Sequence, residues 1–136
     1  MAVDGSESAY RASDYALDLA KKLGATVYFV HVVDVAPYPL YKEDVSDYVE
    51  VESSFEDRGK EILSNCMQKA RSKGVKAESF LEVGDPSHEI VQFAIDKKCD
   101  CVVMGKRGLG KLERILVGSI TDQVTKLASI PSIIVK

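Results

Sequence analysis

The segment Gly105-Lys-Arg-Gly108-Leu-Gly110-Lys111-Leu-Glu-Arg114-Ile-Leu-Val-Gly118-Ser119 gathers the residue types that hold phosphate. Glycines let a backbone turn tightly and come close to a ligand. Ser119 is the expected N-cap of a helical pattern, and the free N–H groups and dipole of a helix start favour an anion. Arg107 and the hydroxyls of Ser119 and Thr121 can add donors to phosphate oxygens. A long turn with ordinary solvent-facing cations would have the same composition. Two familiar phosphate motifs fail. Gly105-x4-Gly110-Lys111 begins like a P-loop, but Leu112 stands where a Ser or Thr would hold Mg²⁺. The dinucleotide order G-x-G-x-x-G is also absent, the order here being G-x-x-G-x-G.

Other reactive side chains are less informative. Asp4 can cap the turn at Ser6–Glu7, and a carboxylate there can equally accept from a ligand. His31 reads as a packed strand residue without a Ser or Cys partner, and His88 as a solvent-facing residue in a first helical turn. Cys66, Cys99 and Cys101 are odd in number and form no C-x-x-C pair, so a reduced chain with small core cysteines is expected. No metal-ligand set and no catalytic residue stand out.

These residues must be positioned by an alternation of short β-branched runs and helical stretches. Residues 1–4 read as the stub of a strand, and Ala12, Tyr15, Ala16, Leu19, Ala20 and Leu23 mark one face of a helix over Glu7–Leu23. Ser6 is its expected N-cap and Gly24 its stop. Thr26–Val33 is an almost continuously apolar strand, Pro37–Val51 an irregular acidic connection, and 54–73 a second helix closed by Gly74. Val75–Val83 alternates as a strand nearer an edge, with Cys101–Met104 and Ser132–Val135 as later strands. Asp85-Pro86 opens a third helix, and Ser119–Ala128 forms the fourth. Strand–helix alternation predicts an α/β fold: one five-stranded, parallel, doubly wound sheet with helices on both faces. Such a sheet binds ligands beyond the carboxyl ends of strands where the winding reverses.

The length of 136 residues suits a single domain spanning 1–136. Eighteen basic and 21 acidic residues give a net charge of −3, which argues against a nucleic-acid groove. The charge is uneven. The segment Gly105–Ser119 carries four cations against Glu113, whereas Lys42–Arg58 sets seven acids against two bases. One small polyanion held at one loop fits that distribution. No apolar run is long enough to span a bilayer and no leader opens the chain, so a cytoplasmic protein without a membrane partner is expected.

The spacing Gly105-x2-Gly108-x9-Gly118-Ser119 resembles the nucleotide-binding signature of the ATP-binding branch of the universal stress protein family. Ala2-Val-Asp-Gly-Ser6, His31-Val32, Gly84-Asp85-Pro86 and Pro131-x-Ile-Ile-Val135 resemble it too, in the right order over essentially the whole chain. The resemblance implies that Asp4 accepts from ribose hydroxyls, that the Val32 backbone meets adenine and that Ala2 and Val3 line the base pocket. It implies Met104 and Gly105 under the ribose. It places Arg107, Gly108, Gly118, Ser119, Ile120 and Thr121 at the phosphates. The implied ligand is ATP, or ADP or AMP, with Mg²⁺ as a companion ion. Family members carry several apolar residues before the strand-end Asp, whereas Met1, Ala2 and Val3 alone precede Asp4 here, so residues are expected upstream of this sequence.

Counting the 1–4 strand as first, the expected strand order is 3-2-1-4-5. Ser132–Val135 then lies on an edge with no charge before Lys136, and two copies are expected to pair through it as a homodimer, as the resemblance also implies. The leading reading is a nucleotide-dependent regulatory or stress-response protein with at most slow ATP hydrolysis or self-phosphorylation. The rivals are an adenine-nucleotide α-hydrolase-type enzyme and a nucleotide-free interaction protein. The enzymes carry an S-G-G-x-D-S loop where this chain has Asp4-Gly5-Ser6-Glu7-Ser8.

Overall fold

Small residues on one face of the first helix, α1 (Glu7–Leu23), let it lie close to the sheet: Ala9, Ala12, Ala16 and Ala20 are buried beside Leu17. Its ends are set locally. The Ser6 hydroxyl accepts from the Ala9 N–H at 3.1 Å, and Gly24 takes the left-handed conformation (φ 64°) that a helix stop requires. The computed structural model describes the backbone of residues 1–34, 45–109 and 117–136, and the side chains of these apart from 45–53. Within them follow β1 (Val27–Val33), α2 (Val45–Lys73), β2 (Ala77–Val83), α3 (Pro86–Asp96), β3 (Val102–Gly105), α4 (Ser119–Leu127) and β4 (Ser132–Val135).

The strands pair in parallel as two ribbons. β1 pairs with β2, with His31 opposite Leu81, and β3 pairs with β4, with Met104 opposite Ile134. The N-terminal residues stitch the ribbons together. Met1 and Val3 donate to the Tyr28 and Val30 carbonyls of β1 at 2.8 and 2.9 Å, while Ala2 donates to the Val103 carbonyl of β3 at 3.1 Å. Of the residues read as the stub of a strand, Ala2 forms a bridge opposite Val30. Among the described residues there are thus four strands in two sheets, joined by a bridging segment.

Side-chain alternation divides the interior. Val3, Val27 and Phe29 pack with Leu17 of α1 and with Ile62, Leu63, Cys66 and Ala70 of α2. Ala2, Val30, Val102 and Met104 point the other way, to Ile90 and Ala94 of α3 and Val124 of α4. Helices therefore cover both faces.

Three expectations are corrected. α2 begins at Val45, within the stretch read as irregular connection, and no Gly or Pro stands between Val45 and Arg58 to stop it. Cys101 lies just outside β3, so it and Cys99 precede the strand and are half-buried, whereas Cys66 is fully buried as expected. Gly118, not Ser119, is the N-cap of α4, and no side chain caps that helix. Residues 35–44 and 110–116, including Lys111 and Arg114, lie outside the described residues.

Candidate functional site

The turn from the N-terminal segment into α1 places Asp4 at the carboxyl end of the sheet. Gly5, with φ at 81°, makes that turn without a side-chain penalty. Asp4 Oδ1 accepts from the Ser6 N–H at 2.9 Å, which is the capping role anticipated for it. Its Oδ2 accepts from the Leu109 N–H at 3.1 Å, which no local pattern foretells. A carboxylate oxygen has room for more than one donor, so both oxygens retain acceptor capacity.

Across from Asp4, the chain leaving β3 is held by its backbone. A Cβ on Gly105 would lie 2.8 Å from the carbonyl carbon of Ser8 and 2.9 Å from its oxygen, so only glycine lets β3 meet the start of α1. A Cβ on Gly108 would lie 2.4 Å from Asp4 Oδ2. Lys106 donates to the Val135 carbonyl at 2.8 Å and accepts from the Gly118 N–H at 2.9 Å, which closes the long loop at its base. The Arg107 N–H points to Ser8 Oγ at 3.4 Å, and the Arg107 Nε is buried without a partner among the described residues. A buried, unpaired guanidinium donor beside such a turn is a place for an anion to settle.

At the start of α4 the first intrahelical bond runs from the Asp122 N–H to the Gly118 carbonyl at 2.9 Å. The N–H groups of Ser119, Ile120 and Thr121 precede it and have no intrahelical acceptor. Ser119 is exposed and its hydroxyl serves no cap. Thr121 differs from expectation. It is buried, and its hydroxyl donates to the Gly105 carbonyl at 3.0 Å, so its proton anchors the strand end and only its N–H faces outward chemistry.

These elements enclose a cavity of about 540 Å³, within the size range of small-molecule sites. All of the anticipated residues border it. Ala2, Val3, Asp4 and Val32 contribute from the N-terminal segment and β1, and Met104 and Gly105 from β3. Arg107, Gly108, Gly118, Ser119, Ile120 and Thr121 contribute from the loop and α4.

Sequence reasoning missed the remaining lining. His31 was read as packed, and it is: its Nδ1 lies 2.7 Å from the Val3 carbonyl, which can only accept, so that nitrogen carries the proton. His31 also borders the cavity, as do Phe55, Arg58 and Ile62 of α2. Their three- and four-residue spacing is a signal, but one shared by any helix face. Pro86 and Ile90 reach the cavity from α3, whose cap Asp85 accepts from the His88 N–H at 2.9 Å. The Ser87 hydroxyl, and then that N–H, hold the Asp85 carboxyl below its ordinary range. His88 itself is exposed, as expected.

The model of the universal stress protein family matches residues 1–136. Universal stress protein MJ0531 of Methanocaldococcus jannaschii is 38% identical over 133 residues, 98% of this chain and 78% of that protein. The solved structure of the protein MJ0577 superposes with a TM-score of 0.87 at 28% identity, covering 99% of this chain and 92% of that one. A universal stress protein of Archaeoglobus fulgidus, solved in complex with dAMP, superposes with a TM-score of 0.66 at 27% identity, covering 99% and 94%. The match spans the chain from its first residue to its last: it belongs to the universal stress protein family.

Proposed function

We propose that this chain is a nucleotide-dependent regulatory protein of the stress response that holds ATP, or ADP or AMP, in the cavity beyond β1 and β3. One observation carries the reading. A hydroxyl acceptor, Asp4, the start of α4, whose first N–H groups have no intrahelical acceptor, and Arg107 border a single cavity of about 540 Å³. In this reading Asp4 accepts from the ribose, the Val32 backbone meets adenine, and Ala2 and Val3 line the base. Met104 and Gly105 lie under the ribose. Arg107, Gly108, Gly118, Ser119, Ile120 and Thr121 surround the phosphates, with Mg²⁺ as their companion. The dAMP held by the Archaeoglobus fulgidus relative supports an adenine nucleotide.

The same reading takes the bridging N-terminal segment as the central strand of an order 3-2-1-4-5. Among the described residues β4 pairs only with β3, and its open edge is the proposed homodimer contact. Among the described residues no helix is long and apolar enough to cross a membrane. We place the protein in the cytoplasm, without a nucleic-acid partner. In this reading turnover is at most slow.

The test is to release and identify whatever nucleotide co-purifies with the protein, then to follow phosphate release with added ATP. An adenine nucleotide bound near one per chain and barely turned over is expected. A chain that neither carries nor takes up ATP, ADP or AMP sinks the reading, and rapid turnover replaces the regulatory role with an enzymatic one.

A further inference from the structure

We propose that Phe55 and Arg58 of α2 form a stacking wall for the nucleobase, an inference that rests on the nucleotide reading above and assigns its base end. Phe55, Arg58 and Ile62 share one helix face and all border the cavity. Gly59 fixes how deep that face sits. A Cβ there would lie 2.6 Å from Cδ2 of His31 and 2.6 Å from Cδ1 of Leu81, so α2 rests directly on the β1–β2 pair. One turn later Ile62 reaches the Asp4 turn, where a Cβ on Gly5 would lie 2.8 Å from its Cδ1.

These contacts orient the helix across the site. Ile62 stands at the Asp4 turn, and Phe55 and Arg58, on the preceding turns of α2, border the same cavity as Val32 and Val33 at the carboxyl end of β1. Gly108, Gly118 and Ser119 border it from the β3 and α4 side, where the N–H donors at the start of α4 suit phosphates. A nucleotide spanning from those donors past Asp4 therefore brings its base to α2.

The chemistry of the pair suits a base. A phenyl ring and a guanidinium plane both offer flat faces on which a base can stack, whatever its edge pattern. Phe55 is 37% exposed and borders the cavity, so a base laid on it would cover ring surface that now meets solvent. Arg58 is exposed and makes no hydrogen bond or ion pair among the described residues, so turning towards a base breaks nothing there. Arg107, by contrast, belongs to the phosphate end. The two arginines should thus respond to different parts of one ligand.

The experiment measures the affinity of the full chain for adenosine, AMP, ADP and ATP by titration calorimetry. The variants are Phe55→Ala, Phe55→Leu, Arg58→Ala, Arg58→Lys and Arg107→Ala. We expect Phe55→Ala and Arg58→Ala each to weaken all four ligands by the same factor, about tenfold. Phe55→Leu and Arg58→Lys should lose nearly as much, since neither leucine nor an ammonium presents a plane. Arg107→Ala should leave adenosine untouched and weaken ATP most. The proposal is overturned if the Arg58→Ala loss grows with phosphate number and Arg58→Lys restores it, for then Arg58 is a phosphate ligand. It is equally overturned if affinities are unchanged in the Phe55 and Arg58 variants while the unaltered chain binds. No binding of any of the four by the unaltered chain removes the nucleotide reading itself, a distinct failure.

Discussion

The two walls of the cavity are built on opposite principles. On the β3 and α4 side, glycine backbone makes the approach: Gly105 lies against the Ser8 backbone, Gly108 against the Asp4 carboxylate, and Gly118 bonds to Lys106. On the α2 side, Phe55, Arg58 and Ile62 present side chains from a regular helix. The first wall works through what is missing, since any Cβ would occupy space already filled. The second works through what is added. Substitutions on the glycine wall should therefore damage fold and binding together, and those at the exposed Arg58 of the helix wall binding alone.

The largest effect is expected at Gly105. Replacement by valine drives a branched side chain into the Ser8 backbone, where even a Cβ would stand 2.8 Å from its carbonyl carbon. Overpacking of this kind costs about 3 kcal/mol or more when backbone must move, read as a drop in the urea midpoint at unchanged slope. An unshifted midpoint would show that the walls do not differ as described.

Gly108→Ala comes next. Its Cβ would sit 2.4 Å from Asp4 Oδ2, so the carboxylate must turn and release the Leu109 N–H. A loss of about 1 kcal/mol in stability is expected for that hydrogen bond, together with a clear loss of ATP affinity. Gly118 should be graded between alanine and valine. A Cβ there meets Arg107 Cα at 3.3 Å and the Gly108 nitrogen at 3.5 Å, so alanine needs only a small shift. Gly118→Val should abolish the ATP-induced thermal shift, and Gly118→Ala should keep part of it.

On the helix wall, Arg58→Ala should leave the unfolding midpoint of the ligand-free chain within about 0.5 kcal/mol of the parent while weakening nucleotides. A large stability loss there would erase the contrast. The smallest effect concerns pH. The Asp85 carboxyl is held low by the Ser87 hydroxyl and the His88 N–H, so its cap strengthens the fold above the ordinary carboxylate value. That contribution fades as pH falls through the lowered folded value. The carboxyl carbon shift of Asp85, followed by NMR in acid, should titrate below that of a free aspartate and should do so in Gly108→Ala as well.

The difference between the walls also explains what the sequence disclosed. Gly105, Gly108 and Gly118 are rare residues at fixed spacing, and their constraint is steric, so it is written in residue type. Asp85-Pro86 and the Ser6 cap were legible for the same reason: local chemistry fixes a local geometry. The bond between Asp4 and Leu109 joins residues 105 positions apart and has no local trace. Phe55 and Arg58 were hidden because exposed residues on a helix look alike whether they face water or a ligand. The bond from the Thr121 hydroxyl to the Gly105 carbonyl was hidden for a related reason. A hydroxyl near a helix start suits a phosphate donor and a strand anchor equally, and only its burial against Gly105 decides. The Ala2–Val30 bridge likewise depends on a partner far along the chain, which composition does not show.

The most direct test of the central claim is a thermal-stability titration of the intact chain with ATP. Saturation to about 100 times the dissociation constant should stabilise the fold by about 2.7 kcal/mol, and Gly108→Ala at the same ATP concentration should show a markedly smaller shift. An intact chain that shows no shift with ATP, ADP or AMP would contradict the account.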